Sequence, residues 1–240
     1  MSCMKHVGVN VAADPIFTAS YTGINGGLVI VVADDPGMHS SQNEQDSRNY
    51  ARAAKLPMLE AADSNDCLRM TREAFAISEQ FDTPVMLRIT TRVAHSQSYV
   101  ETGEPQPREL RPYKKNTRKY LMLPAFARER RTLIEERLTG LREYSEKNPV
   151  NRIEWRDRSV GIITSGISYQ YVREALPEAS VLKLGMTWPL SEKLIRLFAE
   201  GVKRLLVVEE LEPFIEEQVR AMGLAVSGKA SIPSPGKLSP

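Results

Sequence analysis

The sequence predicts an α/β protein built on parallel sheets, and three observations lead to that prediction. Residues 27–33 (GLVIVVA) show no alternation of polar and apolar side chains, which is typical of a strand covered on both faces. Residues 64–81 carry apolar side chains at three- and four-residue spacing, as in a helix. The same strand and helix alternation returns after residue 158 without any sequence repeat, so we expect two α/β units.

The first unit is predicted to alternate strands and helices from residue 1 to about 103. Residues 1–4 read as the end of a buried strand, and residues 10–21 as a helix with Pro15 in its middle. After the strand at 27–33, we expect a helix at 43–56 and a short strand at 57–61. Asp63 and Ser64 cap the next helix, and residues 84–90 supply a further strand.

A linker separates the two predicted units. From about residue 101 the chain is rich in proline and basic residues, and residues 126–144 then form a highly charged helix with one apolar stripe. In the second unit, strands are predicted at 160–164, 181–184 and 204–208. Helices follow a turn at 165–166 and begin again at Pro189 and Pro213.

Charge and cysteine content exclude several classes of protein. The 240 residues include 32 basic and 30 acidic side chains, and a net charge of +2 gives no field that favours nucleic acid or a membrane surface. Cys3 and Cys67 form neither a disulfide framework nor a zinc motif. No apolar run approaches the roughly 18 residues of a membrane span. We expect a soluble, cytoplasmic protein whose partners are small molecules or proteins.

The segment 33–50 (ADDPGMHSSQNEQDSRNY) is the strongest candidate for a site. It follows a buried strand, and ligands of open parallel sheets bind beyond the carboxyl ends of the strands. His6, His39 and His95 each follow or end a strand at that edge. Structural or substrate-orienting roles fit these histidines better than zinc, so no metal site is predicted.

Other catalytic motifs do not fit. Ser40 and Ser41 lack the Gly-x-Ser-x-Gly turn of a nucleophilic serine, and neither a dinucleotide fingerprint nor a Walker A loop occurs. Glu209, Glu210 and Glu212 could form a paired-carboxylate site. Acids at the start of a helix are favoured by its dipole, and we prefer that interpretation.

Four segments together resemble a known family: residues 5–15 (KHVGVNVAADP), 33–36 (ADDP), 38–46 (MHSSQNEQD) and 90–96 (TTRVAHS). Over nearly its whole length the chain is similar to the alpha subunits of indolepyruvate ferredoxin oxidoreductases, which are thiamine-diphosphate-dependent 2-oxoacid:ferredoxin oxidoreductases. The resemblance implies that residues 1–103 are the later part of a pyrimidine-binding domain. It further implies a linker with an amphipathic helix at 104–155, a transketolase-C-terminal-like domain at 156–229 and a connector at 230–240.

The resemblance also implies a reaction and its partners. Such enzymes decarboxylate an aryl 2-oxoacid oxidatively to an acyl-CoA and pass electrons to ferredoxin. The implied partners are the 2-oxoacid, coenzyme A, ferredoxin and a beta subunit, in a homo- or hetero-oligomer. His6 and His39 are implied as polar or proton-carrying groups near the substrate. Contacts with the cofactor are implied for Lys5, Gly8, Asn10, Ser40, Ser41, Gln42 and Asn43, although several of these residues equally suit a turn or a helix start.

The sequence also departs from the family pattern. The family's cofactor-activating glutamate lies upstream of the segment that matches residue 5, and neither the Gly-Asp-Gly…Asn motif for magnesium and diphosphate nor cluster-binding cysteines occur here. We therefore expect an internal fragment, inactive alone, that meets thiamine diphosphate on its pyrimidine side only. Magnesium and iron-sulfur clusters would belong to the missing parts. Two alternatives stay open: the pyrimidine-domain subunit of a split thiamine-dependent 2-oxoacid decarboxylase, and a non-catalytic module that dimerises through the helix at 126–144.

Overall fold

The computed structural model of the chain describes residues 1–105, 110, 112–232, 236 and 238–239, so the predicted linker and the predicted connector lie partly outside the described residues. Its strands are β1 (Ser2–Lys5), β2 (Val29–Asp34), β3 (Met58–Glu60), β4 (Val85–Thr90), β5 (Arg152–Glu154), β6 (Asp157–Ser165), β7 (Ala179–Leu184), β8 (Met186–Trp188) and β9 (Leu205–Val208).

Helices connect and cover these strands. They are α1 (His6–Val11), α2 (Ala13–Thr22), α3 (Arg48–Ala54), α4 (Ser64–Phe81), α5 (Thr91–His95), α6 (Thr117–Tyr120), α7 (Pro124–Lys147), α8 (Ser168–Ala175), α9 (Glu192–Glu200) and α10 (Phe214–Ala221). Among the residues described, no helix combines the length and the apolar character needed to cross a membrane.

The first sheet has the order β1-β2-β4-β3-β8, in which β1, β2, β4 and β3 run parallel and β8 runs antiparallel to β3. Side chains of α4 and α7 pack on one face, and those of α1, α2 and α3 on the other. Because both faces are covered, Val29, Ile30 and Val32 are all buried. This arrangement confirms the predicted parallel sheet and explains the unbroken apolar run at 27–33.

The second sheet has the order β5-β7-β6-β9, with β6 parallel to both of its neighbours and β5 antiparallel to β7. Its core joins Ile163 and Leu182 to Phe198 of α9 and to Phe214 and Ile215 of α10. Strand β5 lies within the stretch predicted as a linker. A second α/β unit is therefore present, as the sequence predicts.

The two sheets are joined where β7 passes into β8. Strand β7 belongs to the second sheet and β8 to the first, with Gly185 between them. Asn151 Oδ1 accepts the N–H groups of Gly185 and Met186, each at 2.9 Å, and Gly185 O accepts the N–H of Glu60 at 2.8 Å. The chain thus crosses between the sheets through a fully hydrogen-bonded backbone.

Two predicted helices were wrong in their extent. The helix expected at 10–21 is two helices broken at Ala12, and Pro15 lies in the first turn of α2, where its missing N–H costs no helical hydrogen bond. The helix expected at 43–56 spans only Arg48–Ala54. Ser47 N and Oγ donate to the buried Asp34 at 3.1 and 2.5 Å, so this contact holds the preceding residues as a loop.

We expect Gly185→Ala to destabilise the fold. A Cβ at this position would lie 2.5 Å from Val150 O and 2.7 Å from Met70 Cε, and the carbonyl is backbone that cannot move aside easily. Overpacking of this kind costs about 1–3 kcal/mol, measurable as a lower urea midpoint. Gly26→Ala is the control, because its Cβ would meet nothing within 4 Å. Equal midpoints for the two variants would contradict the close packing at this crossing.

Candidate functional site

The carboxyl ends of the parallel strands carry polar side chains from three loops. His6 follows β1, His39 lies in the loop after β2, and His95 ends α5, which directly follows β4. These positions are the ones predicted from the sequence. The loop after β2 and the helix after β4 meet at Asp35, to which residues of both are hydrogen-bonded.

Asp35 organises the loop after β2. Its carboxylate accepts the Ser40 N–H at 2.9 Å, the Ser41 hydroxyl at 2.7 Å, the Thr91 hydroxyl at 2.8 Å and the His39 N–H at 3.1 Å. Burial by itself would raise the pKa of Asp35, but these donors together hold that pKa well below its usual value. Asp35 is therefore a permanent anion that fixes the loop.

Asp35 also orients His39. The ring Nδ1 lies 3.3 Å from Asp35 Oδ1. The same carboxylate oxygen also accepts the backbone N–H of His39. An acceptor at Nδ1 favours the tautomer that carries its proton there, which leaves Nε2 to accept or give a proton. His39 is exposed at the mouth of a pocket.

That pocket has a volume of about 130 Å³, and it joins the loop after β2, the end of β4, α5 and the segment after β9. It is smaller than the roughly 300–1,000 Å³ of pockets that enclose a drug-sized ligand, so it suits a small acid or one end of a larger molecule. Its lining residues are Pro36, His39, Thr90, Thr91, Arg92, His95 and Glu210. Arg92 is exposed, and among the described residues it has no ion pair.

Of the two histidines predicted to lie near a substrate, only His39 lines this pocket. His6 is fully buried at the start of α1, and neither of its ring nitrogens has a hydrogen-bond partner. Lys5 Nζ donates to Ser40 O and Ser40 Oγ, each at 3.0 Å, and lies 3.5 Å from Asp35. The loop around Asp35 is therefore held together by contacts of Lys5, Ser40 and Ser41.

The other predicted cofactor residues are dispersed. Asn10 Oδ1 accepts the Tyr50 hydroxyl at 2.9 Å, and Asn43 Oδ1 accepts from Gln45 Nε2 at 2.9 Å. Gln42 is exposed. A Cβ on Gly8 would lie 2.9 Å from Met4 Cβ, so the close approach of α1 to β1 explains this glycine. A role in binding stays a prediction for each of these residues.

Beneath the pocket lies a buried ion pair network. Arg88, inside β4, donates from Nε to Asp34 Oδ2 at 2.6 Å and from Nη1 to Glu60. Glu60 also accepts the Ser165 hydroxyl of the second sheet at 3.1 Å. Arg88 is 1 % exposed, so its charge is stabilised by these partners and not by water.

A second buried arginine links the two sheets. Arg48 Nη2 lies 2.5 Å from Asp46 Oδ2, and Nη1 lies 2.5 Å from Glu209 Oε2 of the second unit. The guanidinium also stands over the Phe214 ring, 5.1 Å from its centroid. These contacts tie the start of α3 to the segment after β9.

The three acids after β9 do not form one paired site. Glu209 accepts the N–H groups of Ile215 and Glu216 at 3.0 Å, at the start of α10. That contact agrees with the preferred role at a helix start. Glu210 instead lines the pocket, and Glu212 is exposed. Among the described residues, no group of three or more His, Cys, Asp or Glu side chains is placed to hold a metal ion.

A larger groove of about 910 Å³ lies elsewhere, between α3, α7, α9 and α10. Its lining includes Trp188, Leu190 and Met222, with Arg142 and Glu143 among the charged residues. It shares no lining residue with the pocket at the carboxyl edge, and no residue of the predicted site lines it.

Comparison with known proteins shows which proteins the chain resembles. Residues 154–225 match the indolepyruvate oxidoreductase domain. The chain is 44% identical over 236 residues to the indolepyruvate oxidoreductase subunit IorA of Archaeoglobus fulgidus, covering 95% of this chain and 38% of that subunit. The IorA of Pyrococcus abyssi is 44% identical over 251 residues, which cover 97% of this chain and 39% of that subunit. Over nearly its whole length, the chain is similar to part of the IorA subunit.

The chain spans about two fifths of the length of the curated relatives it matches. The relatives do not favour the two alternatives, a split decarboxylase subunit or a dimerisation module. A solved 2-oxoglutarate:ferredoxin oxidoreductase from Magnetococcus marinus has a similar fold, with a TM-score of 0.70 at 15% identity over 94% of this chain and 49% of that one. A solved split-gene transketolase also has a similar fold, with a TM-score of 0.55 at 14% identity over 94% of this chain and 64% of that one.

Several residues implied to hold thiamine diphosphate make contacts within the chain. Of the residues implied to hold it, Lys5 and Ser41 are bound to Asp35, and Asn10 is bound to Tyr50. The pocket of about 130 Å³ has room for a small acid but not for a whole diphosphate cofactor. His6 is the one implied residue that is buried with unpartnered polar atoms.

Sequence reasoning missed the residues that assemble this site. Asp35 and Arg92 lie inside the motifs that carry the family resemblance. The sequence therefore marked their positions as part of a candidate site but did not indicate their roles. Arg88 is a single charge within an apolar strand, and a buried charge requires a partner. For Glu210, only its place directly after a strand gave a signal.

We expect Arg88→Met to destabilise the chain strongly, because it leaves the buried Asp34 and Glu60 without their shared cation. Removing one partner of a buried pair costs about 3–5 kcal/mol. The exposed pair between Arg118 and Glu129 provides the control, and Arg118→Met should leave the free energy of unfolding nearly unchanged. Denaturant unfolding of both variants measures the difference. A similar midpoint for both would contradict a structural role of the buried pair.

We expect Asp35→Asn to lower stability at neutral pH by about 1–3 kcal/mol, because an amide presents N–H groups to the donors that face Asp35. The pKa of Asp35 is lower in the folded chain than in the unfolded chain. Its contribution is therefore present above about pH 4 and is lost as the pH falls below that value. Urea unfolding from pH 7 to pH 2 should show the difference from wild type shrinking below about pH 4. Asp14→Asn, at an exposed position, is the control.

Proposed function

We propose that this chain forms part of the alpha subunit of an indolepyruvate:ferredoxin oxidoreductase. The full enzyme would decarboxylate an aryl 2-oxoacid oxidatively to an acyl-CoA and pass the electrons to ferredoxin. The relatives named IorA and the fold shared with a 2-oxoacid:ferredoxin oxidoreductase support this proposal. Because the chain spans about two fifths of its relatives, we expect it to have no turnover alone.

The observation that carries the proposal is the pocket at the carboxyl edge of the first sheet. It combines the Arg92 guanidinium, which has no ion pair among the described residues, with two imidazoles, the buried Thr90 hydroxyl and the buried Glu210 carboxyl, and the guanidinium suits a small organic acid. Arg92 would pair with the carboxylate of the 2-oxoacid, since a guanidinium binds a carboxylate through two parallel hydrogen bonds. The buried Thr90 hydroxyl, which faces Glu210 in the same pocket, would add a hydrogen bond to the same ligand.

His39 would hold or move a proton beside this acid. Asp35 keeps the proton on Nδ1, so Nε2 is the atom at which exchange with the ligand would take place. His95 lines the same pocket and would contribute a second imidazole. We also propose that His6 is a polar group at the same edge of the sheet. Its buried ring nitrogens have no hydrogen-bond partner among the described residues.

We infer that the chain combines two pieces of the subunit, a pyrimidine-binding-type unit at 1–103 and a transketolase-C-terminal-type unit at 156–229. The presence of two sheets and the match at 154–225 support two pieces, although β5 extends the second sheet back to Arg152 and β8 lies in the first sheet. Thiamine diphosphate, magnesium and iron-sulfur clusters would be held mainly by other parts of the enzyme. The beta subunit, coenzyme A and ferredoxin would be its partners there.

We expect Arg92→Met to weaken binding of an aromatic 2-oxoacid. Phenylpyruvate is the probe, titrated calorimetrically into the purified 240-residue chain. Loss of a charge-assisted pair should reduce the affinity by about tenfold or more, because such hydrogen bonds contribute about 1.5–3 kcal/mol. Arg128→Met, exposed on α7, removes the same charge away from the pocket and serves as the control. Equal affinity in both variants, or no binding by the folded wild-type chain, would count against the proposed role of the pocket.

A further inference from the structure

The start of α8 is fixed against the first unit by several contacts. Ser165, just before α8, donates its hydroxyl to Glu60 at 3.1 Å, and Gln170 Nε2, in the first turn of α8, donates to Asp63 Oδ2 at 2.9 Å. Gly166, whose φ is +51°, lies so close to Glu60 that a Cβ there would clash with the carboxylate. Helix α8 of the second unit therefore has a defined position beside the carboxyl edge of the first sheet.

Tyr171 brings a buried hydroxyl to this boundary. It directly follows Gln170 on α8, and its phenol oxygen is shielded from solvent. Arg92, which lies on α5 of the first unit and lines the pocket, is the donor that faces this oxygen. No other described residue forms a hydrogen bond with it. Because a buried hydroxyl without a partner is costly, the guanidinium is the group that satisfies Tyr171.

Tyr171 is a neutral partner for Arg92. Burial and the nearby Glu210 carboxyl raise the pKa of Tyr171, and these effects exceed the opposite effect of Arg92. Glu210 itself is faced by the Thr90 hydroxyl. A neutral phenol oxygen accepts a hydrogen bond from a guanidinium without neutralising its charge, as a carboxylate partner would. The contact therefore restrains Arg92 and leaves its charge for an anionic ligand.

Arg92 requires a restraint if it is to bind a ligand well. Its side chain is exposed, and it lies on a helix of five residues. A long arginine side chain has many rotamers, and most of them must be given up when a carboxylate binds. A guanidinium has five N–H donors, so one can bind Tyr171 while two others bind the carboxylate. An anchored Arg92 therefore loses less conformational entropy on binding.

We propose that Tyr171 is a positioning residue, whose buried hydroxyl holds the Arg92 guanidinium where the carboxylate of the 2-oxoacid binds. This inference rests on the proposed function of the pocket. It gives α8 of the second unit a part in substrate recognition that acts through Arg92 and not through a contact of its own with the ligand. Ligands that carry a carboxylate gain from this restraint, and neutral analogues do not.

The restraint on Arg92 can be measured without any ligand. In the whole chain with isotope-labelled arginine, nuclear magnetic resonance relaxation reports the order of each Nε–H group, and Arg92→Met identifies the Arg92 signal by its loss. That signal should be less ordered in Tyr171→Phe than in wild type. Tyr169→Phe is the matched control on the same helix, because the Tyr169 hydroxyl contacts Glu154 and Arg152 instead. Equal order of Arg92 in wild type and Tyr171→Phe would overturn the proposal.

The effect of the restraint on binding is tested with phenylpyruvate and its methyl ester. Tyr171→Phe should bind phenylpyruvate about three- to tenfold more weakly than wild type, which is the effect of about one hydrogen bond. The ester lacks the carboxylate and should bind both proteins equally. When Arg92 is already replaced by Met, Tyr171→Phe should cause no further loss, because the hydroxyl acts only through Arg92. Tyr169→Phe should follow wild type with both ligands.

The outcomes separate this proposal from the proposed function. Unchanged affinity of Tyr171→Phe for phenylpyruvate, or an equal loss of affinity for the ester, would overturn the positioning role while leaving the pocket's function intact. A further loss in the Arg92→Met background would also overturn it, because Tyr171 would then act by another route. Failure of the folded wild-type chain to bind phenylpyruvate would overturn the proposed function, and the role of Tyr171 in recognition with it.

Discussion

The structure depends on two buried arginines. Arg88 draws Asp34 and Glu60 together across the first sheet, and Arg48 binds Asp46 beside α3 and Glu209 of the second unit. Water reaches neither guanidinium, so each charge must keep its protein partners. The loop after β2, the start of α3 and the segment after β9 are therefore held in one arrangement.

These pairs fix positions more than they add stability. Transferring charged groups from water into the interior costs several kcal/mol per ion, and their mutual attraction roughly offsets that cost. The pairs provide a defined geometry, because a guanidinium donates its hydrogen bonds only in a few fixed directions. Asp34 illustrates the consequence, since it binds Arg88 and also Ser47, which sets the point where the loop ends and α3 begins.

The pocket above this network is composite. The loop after β2 supplies His39, β4 and α5 supply Thr90, Arg92 and His95, and the second unit supplies Glu210. A site assembled from two units can respond to the way they pack against each other. The chain spans about two fifths of the length of the IorA subunits to which it is similar.

The sequence by itself determined the α/β class, the buried strands β2 and β4, α4 with its cap and the location of the polar loop, whereas β1, also predicted to be buried, is partly exposed. Those features are local: a run of apolar residues, a helical spacing or a turn can be read within about 20 positions. Only the tertiary structure decided that β8 joins the first sheet, that α3 begins at Arg48 and that Glu210 reaches the pocket. These depend on pairs far apart in the chain, such as Arg48 and Glu209, which are 161 positions apart. Buried charges must find partners, but the sequence does not state which of many carboxylates the fold brings within reach.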